Sequence, residues 1–549
     1  MIRVVAHNII SPLGNSSIEN YNVIKQGVSS IKRYEDKYGI TEPFCASLFN
    51  EDRDFQELAI SSIDDATKTL DFNDKNILLV ISTVKGNIAD DEYASRLRDT
   101  LAGKWQAKVK VIVVSNACTS GVCAQIVAAR ALEMQDEGNS FDYAVVVGIE
   151  IMNKFIVSGF QSLKAVSDEA CRPFDIERIG MNPGEAAATM VLQKVDEAKS
   201  TDWIYQAGEM ANDGYHISSP SPVAEGASKA LKVVLENIDT QDIVLVNAHG
   251  TATLYNDEME AKAISQVGLM DVPVNSLKGY FGHTMGAAGV LETIVTMLSI
   301  DDGVILATKG YDEQGTSRKL NIYNENIVLA DAEEKSCFIK MISGFGGINA
   351  AIAYSHKPVG RKDFSCVCQK VKSIDIDEKN CPSLKEVYKT RIADYPKFYK
   401  MDVLSQLGFV ASELLLKEET KDDDYAVVLF GQSGSKVVDE QYRATIHADN
   451  YFPSPSLFVY TLPNIVCGEI ALRHNFHGET LYIQMPEKDE ELMMHIVKGS
   501  MLFGKMDHSI AGWINADSEK EYNCNLNIYI NNNGIKRRTQ KQGNRSFES

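Results

Sequence analysis

Two rhythms of apolar and polar residues alternate along the first 355 positions. Short β-branched runs at 76–83 (NILLVIST), 109–114 (VKVIVV), 143–148 (YAVVVG) and 243–247 (IVLVN) have the length of buried strands and are too short for core helices. Between them lie Ala-, Val- and Leu-rich helical stretches such as Ser120–Met134 and Gly286–Leu298. This alternation predicts a layered α/β fold whose helices cover a largely buried sheet. No Gly-x-Gly-x-x-Gly follows a strand and no Walker A sequence is present, so nucleotide binding has no support.

The rhythm changes after Tyr354. Residues 356–389 are charged, with few apolar periods, and read as a connector. A second α/β-like block spans 390–530, with a helix-like stretch at Met401–Leu416, a strand-like stretch at Tyr425–Phe430 and a helix-like stretch at Asn464–Arg473. Residues 531–549 are polar and basic (Lys536, Arg537, Arg538, Lys541, Arg545) and predict a disordered tail.

Composition narrows the classes. The chain has 549 residues, enough for more than one domain, and 44% are hydrophobic, which excludes global disorder. Its 55 basic and 75 acidic residues give a net charge of −20, the wrong footprint for a nucleic-acid binder. An acidic partner could still dock on a local basic patch. Ten scattered cysteines make no disulfide scaffold, and Cys366-Val-Cys368 lacks zinc-ribbon spacing. The first residues, MIRVVAHNIISPLG, form a poor signal peptide, and no stretch nears the ~18 apolar residues that span a membrane. The expectation is a cytoplasmic protein with reduced thiols.

Four segments carry candidate chemistry. In Val114-Ser-Asn-Ala-Cys-Thr-Ser-Gly a strand turns into a helix and puts Cys118 near the helix N-terminus, where thiolate is favoured and free N–H groups can hold an oxyanion. Taken alone, such a Cys is more often a small buried hydrophobe. Asn247-Ala-His-Gly-Thr-Ala-Thr places His249 at a strand end, where it could equally cap its own loop. Lys278-Gly-Tyr-Phe-Gly-His-Thr-Met-Gly-Ala-Ala-Gly leads into a helix containing Glu292. Its small residues could serve packing alone, and Lys278 with Glu292 could be an ordinary ion pair. Ser343-Gly-Phe-Gly-Gly-Ile-Asn is a Gly-rich turn that could be a plain hairpin.

Together and in this order, the four segments resemble the thiolase-like condensing enzymes, and among them the chain-elongating β-ketoacyl-acyl-carrier-protein synthases. Ser11-Pro-Leu-Gly, Cys171-Arg-Pro-Phe-Asp and Asn256-Asp257 add to the resemblance, which covers about residues 1–355. It implies a thiolase-like α-β-α-β-α catalytic domain, with the additional C-terminal α/β half-domain beyond it. It implies Cys118 as the acyl-accepting nucleophile, with His249 and His283 as neutral donors that polarise a malonyl thioester. The backbone N–H groups of Cys118 and Phe345 would form an oxyanion hole, with Phe345 as a gate. Lys278 would support the site electrostatically, and Glu292 would hold its geometry. Neither metal nor cofactor is implied; substrates would arrive on the phosphopantetheine of an acyl carrier protein. Homodimerisation is expected from the family, whose central strands pair across an interface, and a ketosynthase-like heterodimer is equally consistent. His283 stands where thiolases carry a second Cys, which favours condensation over a coenzyme-A-linked thiolase.

Three departures shape the expectations. Met181, in Arg178-Ile-Gly-Met-Asn-Pro-Gly-Glu-Ala, stands where the family has a gating Phe, so an altered acyl pocket is expected, possessing a form similar to ketosynthases of aryl-polyene clusters. Segment 85–108 is brief, so a cap that usually precedes the nucleophile is trimmed. In the block, Ser454-Pro-Ser-Leu-Phe, Pro463-Asn and Gly468-Glu-Ile-Ala resemble that missing segment, yet no Cys stands around Gln484–Pro486. The block therefore reads as a ketosynthase-like half-domain without a nucleophile, comparable to a chain-length factor, or else as an unrelated small α/β domain.

Overall fold

A computed structural model describes the chain except residues 89, 135–138, 237, 330–336, 358–367, 418, 420–423, 448–449 and 532–549. Most of the expected basic tail falls outside the described residues. Sixteen strands form one sheet, numbered here in chain order: β1 Ile2–Ile10, β2 Asn76–Ser82, β3 Lys108–Val114, β4 Tyr143–Glu150, β5 Ala186–Lys194, β6 Ile204–Asn212, β7 Ile243–Asn247, β8 Pro273–Asn275, β9 Asn321–Ile322, β10 Cys337–Gly344, β11 Ile348–Ser355, β12 Cys368–Asp377, β13 Tyr425–Gly431, β14 Thr480–Gln484, β15 His508–Ser518 and β16 Glu521–Asn531. Their spatial order is β9-β8-β7-β10-β11-β6-β1-β5-β4-β2-β3-β14-β13-β15-β16-β12.

The first eleven strands form the thiolase-like layers. β1–β5 and β6–β11 are two half-sheets joined by a narrow contact, Ile2 opposite Tyr205 and Arg3 opposite Ile204. Between them run the helices Ser120–Glu133 and Met285–Asp301, which are buried on nearly every side. An all-round apolar helix is what a middle layer requires. β2 reads out the layering residue by residue. Leu78 and Val80 face the middle helices, whereas Ile77, Leu79 and Ile81 face the outer helices Phe55–Thr67 and Tyr93–Trp105. Side chains alternate across a strand, so a strand covered on both faces must be apolar throughout.

The remaining five strands repeat a pattern. In the first half the order is β1-β5-β4-β2-β3; in the block it is β12-β16-β15-β13-β14. The senses match too: the β2–β3 and β2–β4 pairs are parallel, as are β13–β14 and β13–β15, and the other pairs are antiparallel. The two sets meet at β3 and β14, which pair antiparallel through Ile483 opposite Val114 and Gln484 opposite Val113. The central-strand pairing expected between two chains is thus made inside one.

One expectation needs correcting. The connector at 356–389 contains β12 and the start of the helix Leu384–Arg391. β12 is an edge strand with only Ile376 buried, so its apolar alternation is confined to Ile374-Asp375-Ile376-Asp377, too short to stand out in a charged sequence.

Candidate active site

The four motif-bearing turns converge. Cys118 sits in a tight turn, Ala117–Thr119, between β3 and the helix Ser120–Glu133. His249 follows β7, His283 precedes the helix Met285–Asp301, and Phe345 lies in the turn between β10 and β11. Ligand atoms of Cys118, His249 and His283 lie within 4.8 Å of one another, and the two imidazoles cross at 80° with centroids 4.8 Å apart. Three of these turns hold a non-glycine residue at positive φ: Ala117 (50°), Ala252 (60°) and Met285 (46°). Each costs on the order of 1 kcal/mol, and such strain gathers at functional sites.

The local partners explain the geometry. Glu260 accepts hydrogen bonds from the backbone N–H groups of His249 (2.6 Å) and Gly250 (2.7 Å) and so fixes that loop. The Met285 N–H donates to His283 Nδ1 at 3.3 Å, which leaves the ring proton on Nε2. That Nε2, like Nδ1 of His249, is buried without a hydrogen-bond partner. Gly344 lets β10 approach the Cys118 turn, since a Cβ there would stand 3.3 Å from the Cys118 backbone nitrogen. Glu150 accepts from the N–H groups of Val84 (3.0 Å) and Gly286 (2.9 Å), tying the end of β4 to the middle helix, and burial raises its pKa to about 7.

Charge is arranged to keep both imidazoles neutral. Lys278 pairs with Glu292 at 2.7 Å, and Lys340 pairs with the same carboxylate at 2.5 Å. Burial opposes ionisation of Glu292, but the two ammonium groups outweigh it and hold its carboxyl below the usual range. Two lysines on one carboxylate leave a net buried cation. Burial, and then Lys278, pushes the pKa of His249 and His283 well below 6.5. Burial also pushes the Cys118 thiol up to about 12, with Lys278 pulling the other way. Cys118 therefore rests as a thiol, which corrects the expectation that the helix end favours thiolate; desolvation outweighs it.

A cavity of about 400 Å³ opens onto Cys118, His249, His283 and Phe345, walled by Phe160 and Met181 among others. A larger cavity of about 580 Å³ lies in the C-terminal block beside the Arg473–Glu413 and Arg473–Asp394 ion pairs, remote from these groups. Every expected site residue joins the cluster, its lysine–glutamate support or the pocket wall. Lys340, Glu260 and Glu150 were not anticipated. Glu260 had a faint signal, a carboxylate one turn after Asn256, but Lys340 interrupts an apolar run and has none. Cys118, His249 and His283 are also the one group among the described residues that could hold a metal ion.

Family models match at this region: "Beta-ketoacyl synthase, N-terminal domain" over residues 81–198 and "Beta-ketoacyl synthase, C-terminal domain" over residues 204–312. Residues 81–312 are thus similar to the β-ketoacyl synthases. The 3-oxoacyl-[acyl-carrier-protein] synthase 2 of Vibrio harveyi is 30% identical over 264 residues, which is 44% of this chain. This chain spans 61% of that relative's length. A ketosynthase in complex with its chain length factor, from Xenorhabdus doucetiae, superposes with a TM-score of 0.57 at 21% identity, over 65% of this chain and 98% of that one. The PfaC keto synthase–chain length factor aligns over 96% of this chain and 78% of its own, with a TM-score of 0.71 at 13% identity. At such identities these structures speak for the fold, and the second extends the likeness across the C-terminal block. Among the described residues no helix is long and apolar enough to cross a membrane.

Proposed function

We propose that this ketosynthase condenses a malonyl thioester with an acyl group held on Cys118, elongating a fatty-acid- or polyene/polyketide-type chain. Both substrates arrive on the phosphopantetheine of an acyl carrier protein. The observation that carries this reading is the convergence of Cys118, His249 and His283 within 4.8 Å beside one cavity.

In the first half-reaction Cys118 Sγ attacks the carrier thioester. A new S–C bond forms, the pantetheine S–C bond breaks, and the thiol proton passes through an imidazole to the departing sulfur. The malonyl thioester then enters. The neutral imidazoles of His249 and His283 hydrogen-bond its thioester oxygen as carbon dioxide leaves, and the electron pair of the broken C–C bond becomes an enolate. The enolate carbon attacks the acyl carbonyl, Cys118 departs and regains a proton, and the product is a 3-oxoacyl thioester two carbons longer. Backbone N–H groups of Cys118 and Phe345 hold the oxyanion. Burial, aided by Lys278 and Lys340, keeps the imidazoles uncharged, Glu292 holds those two lysines in place, and Met181 shapes the acyl pocket.

For residues 390–530 we propose a chain-length-factor-like role, in cis and without a nucleophile. The repeated strand order supports it, as does the turn Met485–Asp489 after β14, which contains no Cys.

Intact-mass measurement after incubation with acyl-carrier protein tests the proposal. The parent protein gains one acyl mass, and Cys118→Ala gains none while keeping its circular-dichroism spectrum. Acyl loading on the variant would sink the assignment.

A further inference from the structure

The C-terminal block reaches the catalytic turns at two places. The nucleophile turn is held through the paired edge strands: the Ser115 N–H donates to the Tyr482 carbonyl (3.2 Å), the Tyr482 N–H to Asn116 Oδ1 (2.9 Å), and Asn116 Nδ2 to the Thr480 carbonyl (3.0 Å). The Phe345 turn is held by Asn464, which immediately precedes the helix Ile465–His474 of the block.

Asn464 Nδ2 donates to the Phe345 carbonyl at 2.7 Å. The N–H of the same peptide unit, on Gly346, donates to the Ile217 carbonyl at 2.6 Å, so this peptide plane is pinned from both ends. The next carbonyl, on Gly346, accepts from Asn212 Nδ2 at 2.8 Å. The packing is close enough to exclude side chains. A Cβ on Gly346, whose φ is +94°, would stand 2.6 Å from Asn464 Nδ2, and a Cβ on Gly468 would stand 2.7 Å from the Gly346 oxygen. Asn464 is only 3% exposed, and its Oδ1 is buried without a partner. Its retained polar function is therefore the single bond to Phe345, because burying an amide carries a cost unless the group is hydrogen-bonded.

We propose that Asn464 is a positioning residue for acyl transfer, supplied to the catalytic half by the C-terminal block of the same chain. It holds the Phe345 turn so that the Phe345 N–H stays aimed at the oxyanion beside the Cys118 N–H. The segment that carries it, 432–479, has a counterpart at 83–107 in the first half that is about half as long. The block contains no nucleophile for a cap to serve, so the first half has no second site to complete. This inference rests on the condensing-enzyme reading of Cys118 and Phe345.

The test compares two reactions of one thiol at one pH. Transfer from an acyl-pantetheine thioester passes through an oxyanion, whereas alkylation by iodoacetamide does not. Asn464→Leu keeps the volume and removes the donor. We expect acylation to fall roughly 10-fold or more, from displacement of an oxyanion donor, with alkylation within about twofold of the parent. If Asn464→Leu fails to fold, Asn464→Asp, which also lacks the N–H donor, is judged by the same pair of rates. Unchanged acylation overturns the proposal. A parallel fall of both rates also overturns it, because it marks a merely structural contact. A parent protein that is alkylated but never acylated instead overturns the underlying reading, and this inference with it.

Discussion

The two halves share five strands in the same order and senses, yet they hold different things between them. Behind β3 stands Cys118, and behind the corresponding β14 stands a turn with no Cys. Between β13 and β14 runs a long segment with Asn464, and between β2 and β3 there is little more than the helix Tyr93–Trp105. Only the first half continues into the strands that bring His249, His283 and Phe345. What one half lacks the other presents at the shared edge. A repeated scaffold therefore need not imply a repeated function, since side chains and loops at the join decide which copy does chemistry.

The sharpest way to break the comparison is to loosen the join. Arg130, on the helix Ser120–Glu133 that follows Cys118, is buried with Glu479 of the block at 2.6 Å and Glu209 of β6 at 3.6 Å. Removing Glu479 takes away the nearer carboxylate and leaves Arg130 only Glu209 at 3.6 Å, at a cost below the ~3–5 kcal/mol of a buried charge left wholly unpaired. Glu479→Ala should lower the first thermal unfolding transition markedly and reduce acyl loading with it. A variant with parental stability and loading would mean that the halves function independently of that contact.

A smaller effect belongs to the first half alone. Met181 lines the cavity, and its backbone is fixed by a bond from its N–H to the Ala165 carbonyl at 2.8 Å. Met181→Phe should lower the ratio of loading rates for long against short acyl thioesters by roughly 10-fold. The melting temperature should hardly move, because the added bulk of the ring is taken up by the adjoining cavity and not by packed core. An unchanged ratio would shift chain-length control away from this wall.

The mildest test compares thiols from the two halves. With the Cys118 pKa raised to about 12, its thiolate fraction rises tenfold per pH unit throughout pH 7–9. Iodoacetamide labelling of Cys118 should climb across that range with no plateau, whereas an unperturbed thiol levels off above about 8.5. Cys467 of the block is fully buried and should stay unlabelled in the folded protein. A plateau for Cys118 near neutral pH would show that a partner holds it as thiolate.

Much of this was legible in sequence because the signal was local. His249, His283 and Phe345 each sit in a glycine-bearing turn, and Cys118 in the short turn that joins a strand to a helix; residues a few positions apart define such turns. The strands β2, β3, β4 and β7 were equally plain, being apolar on both faces. What escaped was non-local. Lys340 lies inside an apolar strand, and its reason is Glu292, carried on another element. Asn464 stood in a recognisable Pro-Asn pair, but its partner Phe345 lies 119 residues away. β12 escaped because its alternation is confined to Ile374-Asp375-Ile376-Asp377 at one end of a charged edge strand.

The antiparallel contact between β3 and β14 has a consequence for dilution. When a site is completed by a second molecule, its occupancy falls as the protein is thinned below the dissociation constant. Here the completing wall is tethered, so its effective concentration is fixed by chain connectivity and not by how much protein is present. On the proposed role of the block, assembly of the site is independent of protein concentration, and the two halves are made in equal amount.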